Sequence, residues 1–367
     1  MPTAASSRHL SWDLFCRVVD NFGDVGVCWR LARELVARGA RVRLWIDDPR
    51  ALAWMAPAGH AGVEVRPWAE AAAAAPADVV IEAFGCDPDP GYVAAMAAAS
   101  RPPLWLNLEY LSAEVYVERS HGLASPQFAG PGRGLMKWFF YPGFTARTGG
   151  LLREQGLVEA RAAFVREDWL RARGLGLAPG ERLVSLFCYE AAPVARLVDA
   201  LATDACPTVI ATAPGAATAL ARAVLACAPA HLRQVALPWL AQDDFDRLLW
   251  SCDLNFVRGE DSWVRAQWAC QTFVWQAYPQ ADGAHATKVE AFLDLALAAA
   301  PPAAANLLRA WFRAWNGVDD PANAAPLPAW TPAALDAATR AARAWRDELL
   351  AGPELVAALL AFVQEKL

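Results

Sequence analysis

Trp12-Asp-Leu-Phe-Cys-Arg-Val-Val-Asp-Asn-Phe-Gly-Asp-Val-Gly26, read together with Arg41-Val-Arg-Leu-Trp-Ile46, decides the fold class. Trp12 to Val19 is an apolar-rich strand, and Asp20 to Gly26 is a cluster of turn-forming residues. Val27, Leu31 and Leu35 then recur every fourth residue, with Arg30, Arg33, Glu34 and Arg38 on other faces, so a helix follows. Gly39 ends it, and residues 41 to 46 form the next strand. Strand, glycine loop, helix and strand make a βαβ unit, which implies a parallel sheet with right-handed crossovers.

Working outward, residues 78–84 and 103–108 read as further buried strands, and the alanine run 69–75 as a helix. Glycine and proline crowd residues 120–150, which read as long loops approaching a domain boundary. A second α/β pattern then begins. Its strand candidates are 182–187, 208–211, 234–237, 253–257 and 272–276, with helices such as 245–250 and 263–268 between them. Thr331 followed by Pro332 is a helix start, and the chain reads as helical from there to Leu367, with one break at Gly352-Pro353. Two α/β domains with a cleft between them is the expected architecture.

Composition bounds the function. The chain has 367 residues, which at about 150 per domain favours two domains. With 39 acidic and 33 basic residues the net charge is −6, which argues against a dedicated nucleic-acid binder. No apolar run reaches the ~18 residues of a membrane helix, because Asp294, Pro301 and Asn306 interrupt the alanine-rich stretches. Residues 1–11 carry no apolar core of a secretory signal. The 8 cysteines include no C-x-x-C pair and the 5 histidines are scattered, so neither a zinc site nor a disulfide framework is expected. A reduced, cytoplasmic location follows. Composition leaves the 17 tryptophans unexplained.

Ligands of open α/β sheets bind beyond the C-terminal ends of the strands, where loops enter helix N-termini. Two such loops are rich in polar residues. In Asp20-Asn21-Phe22-Gly23-Asp24-Val25-Gly26 the leading Gly-x-Gly of a dinucleotide loop is missing, and Asp20 and Asp24 would repel a pyrophosphate. One carboxylate can act as a base while the other holds a cationic acceptor; alternatively Asp24 or Asp20 caps the helix and supports the turn. In Arg258-Gly259-Glu260-Asp261-Ser262, Arg258 and the following helix N-terminus suit phosphates, while Glu260 and Asp261 suit sugar hydroxyls. That combination fits a nucleotide sugar; the plainer reading is a helix capped by Asp261 or Ser262 with a solvated Glu260. Phe187-Cys-Tyr189 closes a strand and offers aromatic faces, and Gln242-Asp-Asp-Phe245 opens a helix.

Taken in order, Trp12-Asp-x-Phe-Cys with Asp20 to Gly26, Asn107-Leu-Glu-Tyr-Leu-Ser-Ala-Glu114, Arg258 to Ser262 with Val264-Arg-Ala-Gln-Trp268, and Phe273-Val-Trp-Gln276 with Tyr278-Pro-Gln280 closely resemble the EarP family. Its members are protein-arginine rhamnosyltransferases of translation elongation factor P. The resemblance implies a GT-B glycosyltransferase fold, with two Rossmann-like domains facing across a cleft. It implies inverting transfer of L-rhamnose from dTDP-β-L-rhamnose to an arginine of elongation factor P, activating that factor for ribosomes stalled at polyproline. It also implies no cofactor and no metal, and no direct contact with nucleic acid or membrane.

By position, Asp24 matches the family's proposed general base and Asp20 its essential neighbour, with Glu260 as the third catalytic candidate. Donor contacts fall on Asn21, Gly23, Phe187, Tyr189, Gln242, Phe245, Arg258, Glu260, Asp261 and Ser262. Phe187, Tyr189, Gln242 and Phe245 would surround the thymine, and the 258–262 loop the sugar and diphosphate. Gln271, Thr272 and Ala277 depart from the family's pattern. Residues 1–155 would form the acceptor domain and 156–344 the nucleotide-sugar domain; a C-terminal helix of about 345–367 can pack back on the first. The rival functions are a non-catalytic binder of a translation factor and an NAD-dependent oxidoreductase; the latter lacks its Gly-x-Gly-x-x-Gly loop.

Overall fold

The computed structural model describes residues 10–20, 22–280, 282–319 and 326–367. These divide into two compact units, Met1–Gln155 with Gly352–Leu367, and Gly156–Ala351.

The first unit is built on β1 (Ser11–Cys16), β2 (Arg41–Ile46), β3 (Val63–Pro67), β4 (Val79–Ala83), β5 (Leu104–Leu108), β6 (Ala124–Pro126) and β7 (Met136–Phe140). They form one sheet in the order β3-β2-β1-β4-β5-β7-β6. All its pairings are parallel except β6 against β7. The helix Gly23–Ala37 connects β1 to β2 and buries Val25, Cys28, Leu31, Ala32 and Leu35. The opposite face of the sheet carries an aromatic core in which Phe15, Trp45, Tyr92 and Trp105 are buried together.

One buried carboxylate ties this sheet together. Asp13, on β1, is fully buried and accepts hydrogen bonds from Arg43 Nε and Nη2, both at 2.6 Å, and from Trp45 Nε1 at 2.8 Å. It also accepts from the Ala77 backbone N–H at 3.0 Å and from the Tyr92 hydroxyl. A charge taken out of water is tolerated only when it is paired and hydrogen-bonded in this way.

The C-terminal helix Leu355–Lys366 belongs to this unit. Glu354 caps it by accepting from the Val356 and Ala357 N–H groups at 2.8 and 2.9 Å, and pairs with Arg38 at 2.8 Å. Gly150 makes the approach possible: it holds φ +74°, and a Cβ there would stand 2.0 Å from the Pro353 carbonyl oxygen.

The second unit repeats the topology. Strands β8 (Arg182–Leu186), β9 (Thr208–Thr212), β10 (Leu232–Ala236), β11 (Leu254–Arg258) and β12 (Thr272–Gln276) lie in the order β10-β9-β8-β11-β12. Every pairing is parallel. Several tryptophans belong to its core: Trp263 and Trp275 stack at 3.7 Å, and Trp311, Trp315 and Trp330 are fully buried. The strand order reverses direction between β1 and β4 in the first sheet and between β8 and β11 in the second. These are the switch points at which doubly wound sheets bind ligands. Among the described residues no helix is long and apolar enough to cross a membrane.

The structure differs from the sequence reading in several places. β1 stops at Cys16, where Arg17 and Val19 turn outward to solvent. Strand β3 has a mostly exposed edge and therefore no apolar run to announce it. The alanine run forms a 3₁₀ segment, Trp68–Ala73, rather than an α-helix; its three-residue period sets Trp68, Ala71 and Ala74 against the aromatic core. Residues 120–150 contain β6 and β7, concealed by the surrounding glycines and prolines. Thr331 Oγ1 accepts from the Ala334 N–H at 3.3 Å, and helices cover Pro332–Ala351 and Leu355–Lys366 with the break at 352–354.

Replacing Asp13 by Ala leaves Arg43, Trp45 and Tyr92 facing a site that no longer accepts their protons. Such losses cost about 3–5 kcal/mol. Urea denaturation of Asp13→Ala should show a loss of at least that size; a change below about 1 kcal/mol would refute the central role of this carboxylate.

Candidate active site

At the switch point of the first sheet, β1 runs into the acidic loop. Gly23 N–H donates to the Asp20 carbonyl at 2.7 Å, closing a turn that starts the helix. Neither carboxylate caps that helix: its N-cap residue is Phe22, with no side-chain cap. Asp24 instead folds back on the loop. Its Oδ2 accepts from the N–H groups of Val19 and Asp20 at 2.8 and 2.9 Å, and its Oδ1 meets the Tyr110 hydroxyl at 3.4 Å. Asp24 is 2% exposed and Asp20 is half-buried. Burial raises the Asp24 pKa, and the nearby Asp20 charge adds to that; the two backbone N–H groups and Tyr110 oppose it without cancelling it. Asn21 lies outside the described residues.

At the switch point of the second sheet, three chain segments converge. Phe187 and Tyr189 follow β8, and the Arg258 guanidinium lies over both rings, 4.6 and 4.2 Å from their centres. Phe245, in the helix Gln242–Ser251, meets Phe187 edge-on at 5.8 Å, and Gln242 is buried at the start of that helix. Cys188, between the two aromatics, is buried, which pushes its thiol up to about 12 and leaves it unreactive.

The helix after β11 begins at Gly259, four residues earlier than the sequence reading placed it. Arg258 is therefore its N-cap residue, and Glu260, Asp261 and Ser262 belong to its first turn rather than preceding it. Gly259 permits this by taking φ +66°, a value that side chains disfavour. Ser262 Oγ accepts from the Arg258 N–H at 3.1 Å and donates back to the Arg258 carbonyl, locking the turn. Glu260 and Asp261 are half-buried.

Other residues hold this arrangement without having been singled out from sequence. Gln276 Oε1 accepts the Tyr189 N–H at 2.9 Å, and Asn316 Oδ1 accepts the Ala277 N–H at 2.8 Å, fixing the chain after β12. Arg265 forms a buried two-pronged ion pair with Asp246, at 2.9 and 2.7 Å, joining the helix that carries Glu260 to the helix that carries Phe245. Gln276 and Arg265 sit inside quoted motifs, but their roles depend on partners 87 and 19 residues away, which no local pattern reveals. Among the described residues no group of three or more His, Cys, Asp or Glu side chains could hold a metal ion.

Two parallel doubly wound sheets, each with a polar loop at its switch point, define a glycosyltransferase of the GT-B type. The spinosyn rhamnosyltransferase SpnG shares this fold, with a TM-score of 0.52 at 13% identity over 96% of this chain and 99% of that one. The chain belongs to a particular family within that class: residues 12–364 match the model described as "Elongation-Factor P (EF-P) rhamnosyltransferase EarP". The protein-arginine rhamnosyltransferase of Pseudomonas putida is 46% identical, over 97% of this chain and 99% of its own. A solved structure titled "Structural basis for EarP-mediated arginine glycosylation of translation elongation factor EF-P" is 32% identical, with a TM-score of 0.66 over 98% of this chain and 100% of that one.

The raised Asp24 pKa has a defined effect on stability. The folded state holds this proton above the ordinary aspartate value of 3.8, so ionising Asp24 costs stability as pH rises through the folded value. That cost is fully present above the folded value and disappears as pH falls below 3.8. Asp24→Asn keeps an oxygen for the Val19 and Asp20 N–H groups and carries no charge. Its melting temperature should equal or exceed that of the wild type at pH 7, with the advantage shrinking towards pH 4; a wild type more stable at pH 7 would contradict this.

Proposed function

We propose that this protein transfers L-rhamnose from dTDP-β-L-rhamnose to one arginine side chain of elongation factor P, with inversion at the sugar carbon. The first unit receives the protein acceptor and the second holds the nucleotide sugar. A cytoplasmic setting follows from the acceptor, a translation factor. The observation that carries the assignment of roles is the contrast between the two switch points. One presents a buried carboxylate beside a second acid, the other a guanidinium on two aromatic rings at a helix N-terminus.

An arginine guanidinium has a pKa above about 12, and a carboxylate one near 4. A mismatch of roughly nine units corresponds to about 12 kcal/mol, so Asp24 does not deprotonate the acceptor beforehand. Asp24 and Asp20 instead hold the cation and orient one nitrogen. As that nitrogen bonds to the anomeric carbon, the bond from carbon to the diphosphate oxygen breaks and dTDP leaves with the electron pair. The nitrogen becomes strongly acidic as its lone pair is committed, and its proton passes to Asp24. On the donor side, Phe187, Tyr189, Gln242 and Phe245 frame the base. Arg258 and the first N–H groups of the helix Gly259–Ala269 stabilise charge on the departing diphosphate, while Glu260, Asp261 and Ser262 meet the sugar.

Intact-mass measurement of elongation factor P incubated with the protein and dTDP-rhamnose should show a gain of one deoxyhexose. An unchanged mass would leave the non-catalytic binder as the better description. Asp24→Asn should abolish the gain while calorimetry still shows donor binding. Glu260→Ala should weaken donor binding or turnover; wild-type values for both would remove Glu260 from the donor site.

A further inference from the structure

Asp24 has two oxygens with different surroundings. Oδ2 is committed to the Val19 and Asp20 N–H groups, which fix the loop. Among the described residues Oδ1 has a single, long contact of 3.4 Å with the Tyr110 hydroxyl, so it is the less committed of the two oxygens. Tyr110 reaches it from the far side of the switch point, two residues beyond β5, and its orientation is set by an unusual neighbour. Phe84, just past β4, stacks on the Tyr110 ring with centres 4.2 Å apart and planes 12° from parallel.

Phe84 adopts φ +59°, a left-handed backbone conformation that a residue with a side chain disfavours. Glycine would sit there without strain, and Gly85 follows immediately with φ +65°. The Phe84 N–H donates to the Leu108 carbonyl at 2.7 Å, and Asn107 Oδ1 accepts the Gly85 N–H at 3.0 Å. The turn is thus clamped to β5 and its extension. Asn107 Nδ2 also donates to Glu109 Oε1 at 2.8 Å, steadying the residue before Tyr110. Neither ring is deeply buried, so hydrophobic burial does not account for a strained phenylalanine at this position. Backbone strain of this kind clusters at functional sites, and here it falls beside the ring that reaches Asp24.

We propose that Tyr110 is a positioning residue for the transfer reaction, held by the strained Phe84 so that its hydroxyl directs Asp24 Oδ1 at the incoming arginine nitrogen. This rests on the assignment of Asp24 as the base. In this arrangement Oδ2 anchors the loop and Oδ1 takes the proton. The same hydroxyl favours the ionised form of Asp24. The other groups acting on that carboxylate are Asp20 and the backbone N–H groups of Val19 and Asp20; the Cys28 thiol behind it feels the Asp24 charge in turn.

Tyr110→Phe keeps the ring stack and removes only the hydroxyl. With elongation factor P as acceptor, kcat should fall about ten- to a hundred-fold, the penalty of a misdirected catalytic group, with KM for dTDP-rhamnose and the melting temperature unchanged. The acid limb of the kcat–pH profile should move to higher pH, because Asp24 loses a hydrogen bond that lowered its pKa. Phe84→Gly relieves the backbone but frees Tyr110; it should produce the same kcat loss, and the double variant should lose little more than either single one. A Tyr110→Phe enzyme with wild-type kcat and an unmoved acid limb overturns the proposal, as does strict additivity of the two variants. Asp24→Asn assayed in parallel separates the two levels of inference. If Asp24→Asn turns over normally, the base assignment fails and the proposal with it. If Asp24→Asn is inactive while Tyr110→Phe behaves as wild type, only the proposal fails.

Discussion

Asp13 is a carboxylate with no access to water, and the register of the first sheet depends on satisfying it. Its partners come from β2, from the turn before β4 and from the helix Pro90–Ala98, so one side chain fixes three elements against β1. A slip of β1 by a single residue would turn every side chain to the opposite face and bring Asp13 beneath the apolar side of the helix Gly23–Ala37. The cost of burying an unpaired charge forbids that alternative. Because β1 cannot slip, the loop leaving its C-terminal end has a fixed origin, and Asp20 and Asp24 inherit their position from it.

Asp13 and Asp24 are almost equally buried, at 0% and 2% exposure, yet they are built for different purposes. Asp13 is neutralised by Arg43 and surrounded by donors. Asp24 has no cation beside it among the described residues; two backbone N–H groups hold one oxygen, and burial still raises its pKa. A buried acid that is under-compensated costs stability, and such groups concentrate at functional sites. An arginine side chain, permanently charged and carrying five donors, is a partner of that kind.

Much of this organisation is legible in the sequence because the signals are local. Both βαβ patterns, the strands at 41–46 and 272–276 and the break before the last helix follow from hydrophobic periodicity and from glycine and proline placement. The polar loops at 20–26 and 258–262 also declare themselves, since they interrupt apolar runs at strand ends. Cap geometry does not. Asp24, Asp261 and Ser262 are good capping residues by type, but the helix at Gly259 starts early because Gly259 accepts a positive φ, and Asp24 spends its oxygen on the preceding loop. Pairings across long sequence distances are hidden as well. Tyr110 meets Asp24 across 86 residues, and Gln276 meets Tyr189 across 87. The tryptophans gain a reason only in three dimensions, where Trp275 stacks on Trp263 and donates to the Gly259 carbonyl at 2.8 Å, supporting the start of the helix Gly259–Ala269.

The two units share one topology, β8 answering to β1 and β11 to β4, and differ in the charges that their switch-point loops carry. After β1 the chain supplies carboxylates; after β11 it supplies an arginine and a helix N-terminus. A sheet of this type offers its switch point to either sign of ligand, since the backbone geometry there is neutral in its preference until side chains are added. By charge alone, acids at the first suit a guanidinium and would repel a diphosphate placed there. Arg258 has the converse effect at the second switch point: its guanidinium disfavours a cationic side chain there and suits an anion. A mild net charge of −6 conceals this division, because the discriminating charges are few.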